Sequence, residues 1–285
     1  MEDKNDLVVM SNPVIDGRYS YTEIEAKILY TVISKIERYH DEFFVYEIEA
    51  KEIGAYKDVK KASISLYNKT FLIEDKLKPK NFDQYRLFSK LSYKDGYLLA
   101  KFDDEMKEFF LQIKKELGFT KFGLRNIMNL KSRYLIRIYT VFKKEQFKTL
   151  WEIDFKELCE LLQVPKSYYL YKNFKKEILN KLNEINTKTD IFVSYQPIKK
   201  GRSIVRIKFI IQKDDFENFV KNIRNKYQKY NNTVILFEKD DAIFTLNGDG
   251  HIEKDDTLLS KELADPFWRF LYEKSKKEVL KFGVK

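Results

Sequence analysis

The chain has 285 residues, 44% of them hydrophobic and 34% charged. That is enough apolar mass for two ordinary domains, and too polar, at a mean hydropathy of -0.51, for a bilayer protein. No apolar run approaches the roughly 20 residues that span a membrane. The opening MEDKNDLVVMSNP lacks a signal-peptide core, and the single cysteine, Cys159, excludes an internal disulfide framework, so a cytoplasmic protein is expected.

The net charge of +10 is unevenly spread. Residues 1–130 carry 22 basic and 22 acidic side chains, residues 131–213 carry 19 and 8, and residues 214–285 carry 13 and 14. The excess therefore belongs to one stretch. A local surplus of cations favours a polyanion partner, because basic clusters release counterions from phosphate.

In chain order, TEIEAKILYTVISKIERY reads as an amphipathic helix with Thr22 as N-cap and Ile24, Ile28, Val32 and Ile36 at spacing four. FFVYEIE reads as a strand and AKEIGAY as a short helix broken near Gly54. DVKKASISLYNKTFLI reads as a longer helix capped by Asp58, with a second apolar stripe of Ile64, Tyr67 and Phe71. QYRLFSKLSYKDGYLLAKF reads as a hairpin turning at Lys94-Asp95-Gly96.

The same order then recurs. VYEIEAKEIG (Val45–Gly54) matches LWEIDFKELC (Leu150–Cys159), and YTVI (Tyr30–Ile33) matches YTVF (Tyr139–Phe142), at offsets of 105 and 109 residues. KSRYLIRIYTVFKKEQF supplies the first helix of the second copy, LWEID the strand and FKELCELLQV the short helix. Pro165 and Ser167 mark a turn, YKNFKKEILNKLNEIN reads as the long helix, and DIFVSYQ and SIVRIKFII read as hairpin strands.

Helix, strand, helix, helix, hairpin is the order of a winged helix-turn-helix. The fold expected is α+β: two tandem winged-helix domains, residues 1–130 and 131–213, with a small C-terminal α/β appendage over 214–285. In that appendage DDFENFVKNIRNKYQKY and DPFWRFLYEKSKKEVLKF read as helices. TVILFEKDDAIFTLNGDGHI reads as short strands around Asn247-Gly248.

The long helix of the second copy has an apolar back (Phe174, Ile178, Leu182, Ile185) and a Lys/Asn front. Asn can pair with adenine and Lys with guanine acceptors or phosphate. Candidate DNA contacts there are Lys172, Asn173, Lys175, Lys176 and Asn180, with Arg133 upstream. The hairpin adds Lys199, Lys200 and Arg202 at its tip, where Gly201 permits a positive φ, and Arg206 on a strand whose Val205, Ile207, Phe209 and Ile211 should face the core. The weaker first copy offers Lys60, Lys61, Ser65, Asn68, Lys69 and Lys94.

Nothing points to catalysis or a cofactor. The two histidines, His40 and His251, are far apart in sequence, no Cys-x-x-Cys or phosphate loop occurs, and Cys159 flanked by leucines reads as a core thiol.

These residues carry a family pattern. Glu184-Ile185-Asn186, then Thr189-Asp190, a strand, and Lys199-Lys200-Gly201-Arg202 resemble the initiator replication proteins of iteron-type theta plasmids. So do Asn5-Asp6-Leu7, Ser20, Glu23 and Ile28-Leu29-Tyr30 near the start; the resemblance covers about residues 5–212 and leaves 213–285 unassigned. It implies binding of double-stranded plasmid origin DNA, with the two winged helices in successive major grooves of repeated iterons. It also implies a homodimer in equilibrium with monomer, dimerisation through the first domain, and recruitment of the host initiator ATPase and replicative helicase. The competing readings are a winged-helix transcriptional regulator and a rolling-circle nickase. The second needs a His pair that this sequence does not show.

Overall fold

Residues 7–37, 41–74, 81–113 and 117–213 are described by the computed structural model, together with 220, 235–239, 242–246, 252–254, 257–258, 268–269, 271–272 and 283–284. Strand β1 (Leu7–Ser11) opens the chain and leads into α1 (Asn12–Asp16) and α2 (Glu23–Ser34). Thr22 caps α2 through a capping box: its hydroxyl accepts from the Glu25 N–H, and the Glu25 carboxylate accepts from the Thr22 N–H at 2.6 Å.

Next come β2 (Tyr46–Glu49), α3 (Ala50–Ile53) and α4 (Tyr56–Tyr67). A two-stranded ribbon follows, β3 (Thr70–Glu74) with β4 (Phe82–Arg86), then the hairpin β5 (Phe88–Lys94) and β6 (Tyr97–Phe102). Helix α5 (Lys107–Phe110), strand β7 (Phe119–Gly123) and helix α6 (Leu124–Met128) complete the first copy. β7 returns to pair antiparallel with β1.

The second copy comprises α7 (Arg133–Glu145), β8 (Leu150–Asp154), α8 (Phe155–Leu161), α9 (Tyr171–Glu177), α10 (Leu182–Lys188), and the hairpin β9 (Ile191–Lys200) with β10 (Ser203–Lys213). The sequence repeat is a structural one. In each copy the strand ahead of the helix pair lies beside the second hairpin strand, giving sheet orders β2-β6-β5 and β8-β10-β9.

Four local readings of the sequence are corrected. The helix expected from Asp58 begins at Tyr56, with Ala55 at the cap and Asp58 inside the first turn. It ends at Tyr67, because TFLIE pairs as β3; Phe71 lies in that strand at 1% exposure, against 59% for Ile64 on the helix, so the two belong to different surfaces. The long helix of the second copy breaks at Ile178 (φ -126°), passes through a 3-10 turn at Leu179–Lys181, and resumes as α10. An unbroken helix turns adjacent residues about 100° apart. The departure from helical backbone at Ile178 breaks that rule, and neighbouring Ile178 and Leu179 both lie in the core, at 0% and 2% exposure. In β10 a register shift between Ile204 and Arg206 leaves Val205 half-buried, while Ile207, Phe209 and Ile211 are fully buried as their alternation predicts.

Helix α7 joins the copies. Toward the first copy, Tyr139 meets Phe122 edge-on at 5.7 Å, and Phe122 meets Tyr30 at 5.7 Å. Toward the second sheet, Phe142 packs on Phe209 at 5.0 Å and on Trp151 at 6.1 Å. Residues 1–213, with both winged helices, lie within one compact unit.

Residues 214–285 form a second unit. Its strands Ile235–Lys239, Ala242–Leu246, Ile252–Lys254, Thr257–Leu258 and Gly283–Val284 make one antiparallel sheet. Trp268, Leu271 and Tyr272 are buried. The turn read at Asn247-Gly248 and most of both expected helices lie outside the described residues. No helix among the described residues is long and apolar enough to cross a membrane.

Glu25, only 1% exposed, holds the first copy against itself. Its carboxylate meets Lys69 Nζ at 2.5 Å. Burial alone would raise its pKa, but the hydrogen bonds from Lys69, Ser65 and the Thr22 backbone outweigh burial and hold it below the ordinary 4.5. Its ionisation therefore stabilises the fold above that value, and the benefit disappears as pH falls through the lower folded pKa. Glu25→Gln should cost about 2 kcal/mol in urea unfolding at pH 7. The gap from wild type should narrow progressively as pH falls below 4.5.

Candidate nucleic-acid interface

The second hairpin turns through two residues, Gly201 and Arg202, and only Gly201 is left-handed (φ +63°), which suits a glycine-first hairpin loop. Lys199, Lys200 and Arg202 are exposed, and none has an ion-pair partner among the described residues. Arg206 is exposed as well, but its Nη1 sits 2.9 Å from Glu152 Oε1 across the sheet. An exposed pair of this kind is worth about 0–1 kcal/mol, so a phosphate can compete for the guanidinium.

The helical half of the site is held from beneath. Phe155 on α8 packs edge-on against Phe174 at 5.2 Å and Tyr171 at 5.8 Å. Cys159 is fully buried, and burial pushes its thiol up to about 12, which keeps it protonated and unreactive at neutral pH. On the outer face Lys172, Lys175, Lys176 and Asn180 are exposed, Asn180 lying in the 3-10 turn beyond the break. Asn173 is half-buried, and its amide donates to the Ser167 carbonyl at 2.8 Å, closing the turn ahead of α9. That bond uses one of the two amide hydrogens and ties the side chain to the turn. Lys166 sits exposed in the same turn, a cation that the helical pattern missed because it precedes the helix.

The first copy divides its candidates. Lys60 and Lys61 are exposed on α4, and Lys94 is exposed at the wing turn, where Asp95 and Gly96 both take positive φ. Lys57 lies one turn before Lys60 and Lys61 on the same exposed face; the spacing could have found it. Lys60 also stands over the Tyr56 ring, 5.8 Å from its centroid.

Three other first-copy candidates are committed elsewhere. Lys69 is bound to Glu25 and to the Ser20 carbonyl. Ser65 bonds the same Glu25, and Asn68 closes the end of α4 through the Ile64 carbonyl at 2.9 Å. Arg133 is likewise engaged where the copies meet: Nη1 donates to Ser20 Oγ at 2.8 Å and Nη2 to Tyr134 Oη at 2.6 Å. Each copy thus carries exposed cations both on a helix and at its wing tip. The larger group lies in the second copy.

Comparison with known proteins gives this arrangement relatives. Residues 7–143 match the family described as Initiator Replication protein, WH1, and residues 154–211 match Initiator Rep protein, WH2. Among solved structures, the crystal structure of Pi initiator protein in complex with iteron DNA is similar in fold, with a TM-score of 0.59 and 21% identity. The match covers 75% of this chain and 99% of that one.

Replacing Lys199, Lys200 and Arg202 together with alanine should weaken duplex binding and lower the slope of log K against log salt by about 3, with the unfolding midpoint unchanged. Lys69→Ala should do the reverse. The salt slope should stay within error of wild type and the unfolding midpoint should fall, as read by fluorescence anisotropy and urea titration on the same samples.

Proposed function

The chain belongs to the initiator replication protein family, and on that footing we propose that it is a plasmid replication initiator that binds repeated duplex sites at the origin. The observation that carries the reading is the tandem repetition of one device, an outward basic helix beside a basic wing tip, on a single unit of residues 1–213. A winged helix sets its recognition helix in one major groove. Two joined in a unit fit a site of roughly 20 base pairs, two grooves in succession. The related Pi initiator is known in complex with iteron DNA, which supports the same class of target here.

Phosphate contacts from Lys199, Lys200 and Arg202 would fix position, and base contacts from Lys172, Lys175, Lys176 and Asn180 would select sequence. Lys60, Lys61 and Lys94 would add contacts from the first copy. Binding opens the origin and recruits the host initiator ATPase and replicative helicase. A dimer joined through the first copy exchanges with the binding monomer. Support for these last steps is the family resemblance and the apolar exposure of Ile64, Phe82 and Tyr56 in the first copy. No catalytic step is assigned to the chain, which acts by binding alone.

Footprinting on DNA flanking the gene tests the reading. Protection should recur over directly repeated sites, each spanning about two helical turns. Protection of a single inverted repeat would favour the regulator reading instead, and nicking of a supercoiled origin by the purified protein would overturn the non-enzymatic one.

A further inference from the structure

Helices α4 and α9, one in each copy, begin on the same pattern. Residues 55–61 read AYKDVKK and residues 170–176 read LYKNFKK. The geometry repeats with the letters. Tyr56 opens α4 and Tyr171 opens α9. The Ala55 carbonyl accepts from the N–H groups of Asp58 and Val59, both at 3.0 Å, and the Leu170 carbonyl accepts from those of Asn173 and Phe174, at 2.9 and 3.2 Å. Val59 and Phe174 are fully buried, while Lys57, Lys60 and Lys61, and likewise Lys172, Lys175 and Lys176, are exposed. Ala55 and Leu170 therefore hold the same place relative to their lysines. The first copy carries a methyl group there and the second an isobutyl group.

Leu170 does little for the fold. It is 67% exposed, so the core does not hold it. It stands at the cap of α9 and makes no side-chain hydrogen bond there. Leucine is among the poorest residues for that position, because it cannot satisfy a free N–H. The chain places better caps elsewhere, Thr22 on α2 and Asp154 on α8. Yet the backbone that presents Leu170 is firmly tied. The Asn173 amide donates to the Ser167 carbonyl at 2.8 Å, and the Tyr168 N–H donates to the Pro165 carbonyl at 2.8 Å. Exposed Lys166 and Lys172 flank it in the chain. An apolar group held in solvent between cations suits the one apolar group that a base pair shows in the major groove, the C5-methyl of thymine.

On the footing that the chain binds specific duplex sites, we propose that Leu170 is a specificity-determining residue of the second copy, which selects one thymine by contact with its C5-methyl group. The lysines around it hold the duplex whatever its sequence, and Leu170 discriminates. Alanine at the matching place gives the first copy a smaller contact of the same kind.

The duplex protected in footprinting is prepared with deoxyuridine in place of each thymine in turn, which removes the methyl group alone. In fluorescence anisotropy the wild type should lose about fourfold in affinity at one such position, the effect of burying one methyl group. Leu170→Ala should bind the thymine and uracil forms of that position alike, because the two deletions remove one contact. Ala55 shows that the same cap geometry forms on alanine, so the variant should keep the wild-type urea midpoint. Its salt slope should also match wild type, since no charge is lost. Wild-type binding indifferent to uracil at every position overturns the assignment, as does a loss that persists in Leu170→Ala at every sensitive position. A lowered urea midpoint also overturns it, by giving Leu170 to the fold. If the wild type shows no preference for the protected duplex over random sequence, the origin-binding reading falls and this role with it. A full preference that survives uracil substitution throughout removes the role of Leu170 alone.

Discussion

Burial of helix α7 on two sides is the constraint on which residues 1–213 depend. Tyr139 and Phe142 are both fully buried, one against the first copy and the other against the second sheet. Aromatic pairs of this geometry add about 0.5–1.5 kcal/mol each beyond the area they bury. Because one rigid helix serves both cores, neither winged helix can turn without unpacking the other. Two independent DNA-binding modules would need an ordering step at every encounter. A pair already fixed along one helix avoids that ordering cost, which is otherwise lost from affinity.

Charge is spent differently in the two copies. In the first, cations are consumed inside the structure: Lys69 by buried Glu25, and Lys27 by Glu23 at 2.6 Å. In the second, most cations of α9 and of the wing tip remain in solvent, with Lys176 and Glu177 3.9 Å apart as a loose pair. The even balance of residues 1–130 and the surplus of 131–213 thus reflect what each copy does with its lysines. A phosphate backbone meets free charge mainly in the second copy.

Much of this was legible in the sequence. The repeat of YEIE and WEID found both sheets, because a strand buried on one face must alternate and its partner must match it. Thr22 announced the first helix through a local capping rule, and the alternation of Ile207, Phe209 and Ile211 announced the core face of β10. What escaped were features settled by distant partners. Strand β1 pairs with residues more than a hundred positions away, and its own five residues do not show this. The break at Ile178 answers to a core that wants two adjacent side chains. Lys69 and Arg133 looked like surface cations because Glu25 and Ser20, which engage them, come from another part of the chain. The tie between Asn173 and the Ser167 carbonyl was equally hidden, since its acceptor is backbone, which no residue type advertises.

The pairing of β1 with β7 also sets an order of assembly. Leu7 lies opposite Gly123, so the opening strand waits for its partner until about 120 residues have left the ribosome, after all strands of the sheet β2-β6-β5 have emerged. Helices α2 and α4 emerge earlier and can pack on each other, but the face of α2 that meets α6 and α7 stays uncovered until those helices are made. The second copy closes over a shorter interval, since Leu150 lies opposite Ile210. During synthesis the first copy is therefore the vulnerable one, exposed to mispairing for longest. The helix that later unites the two copies is made only after β7 has completed the first.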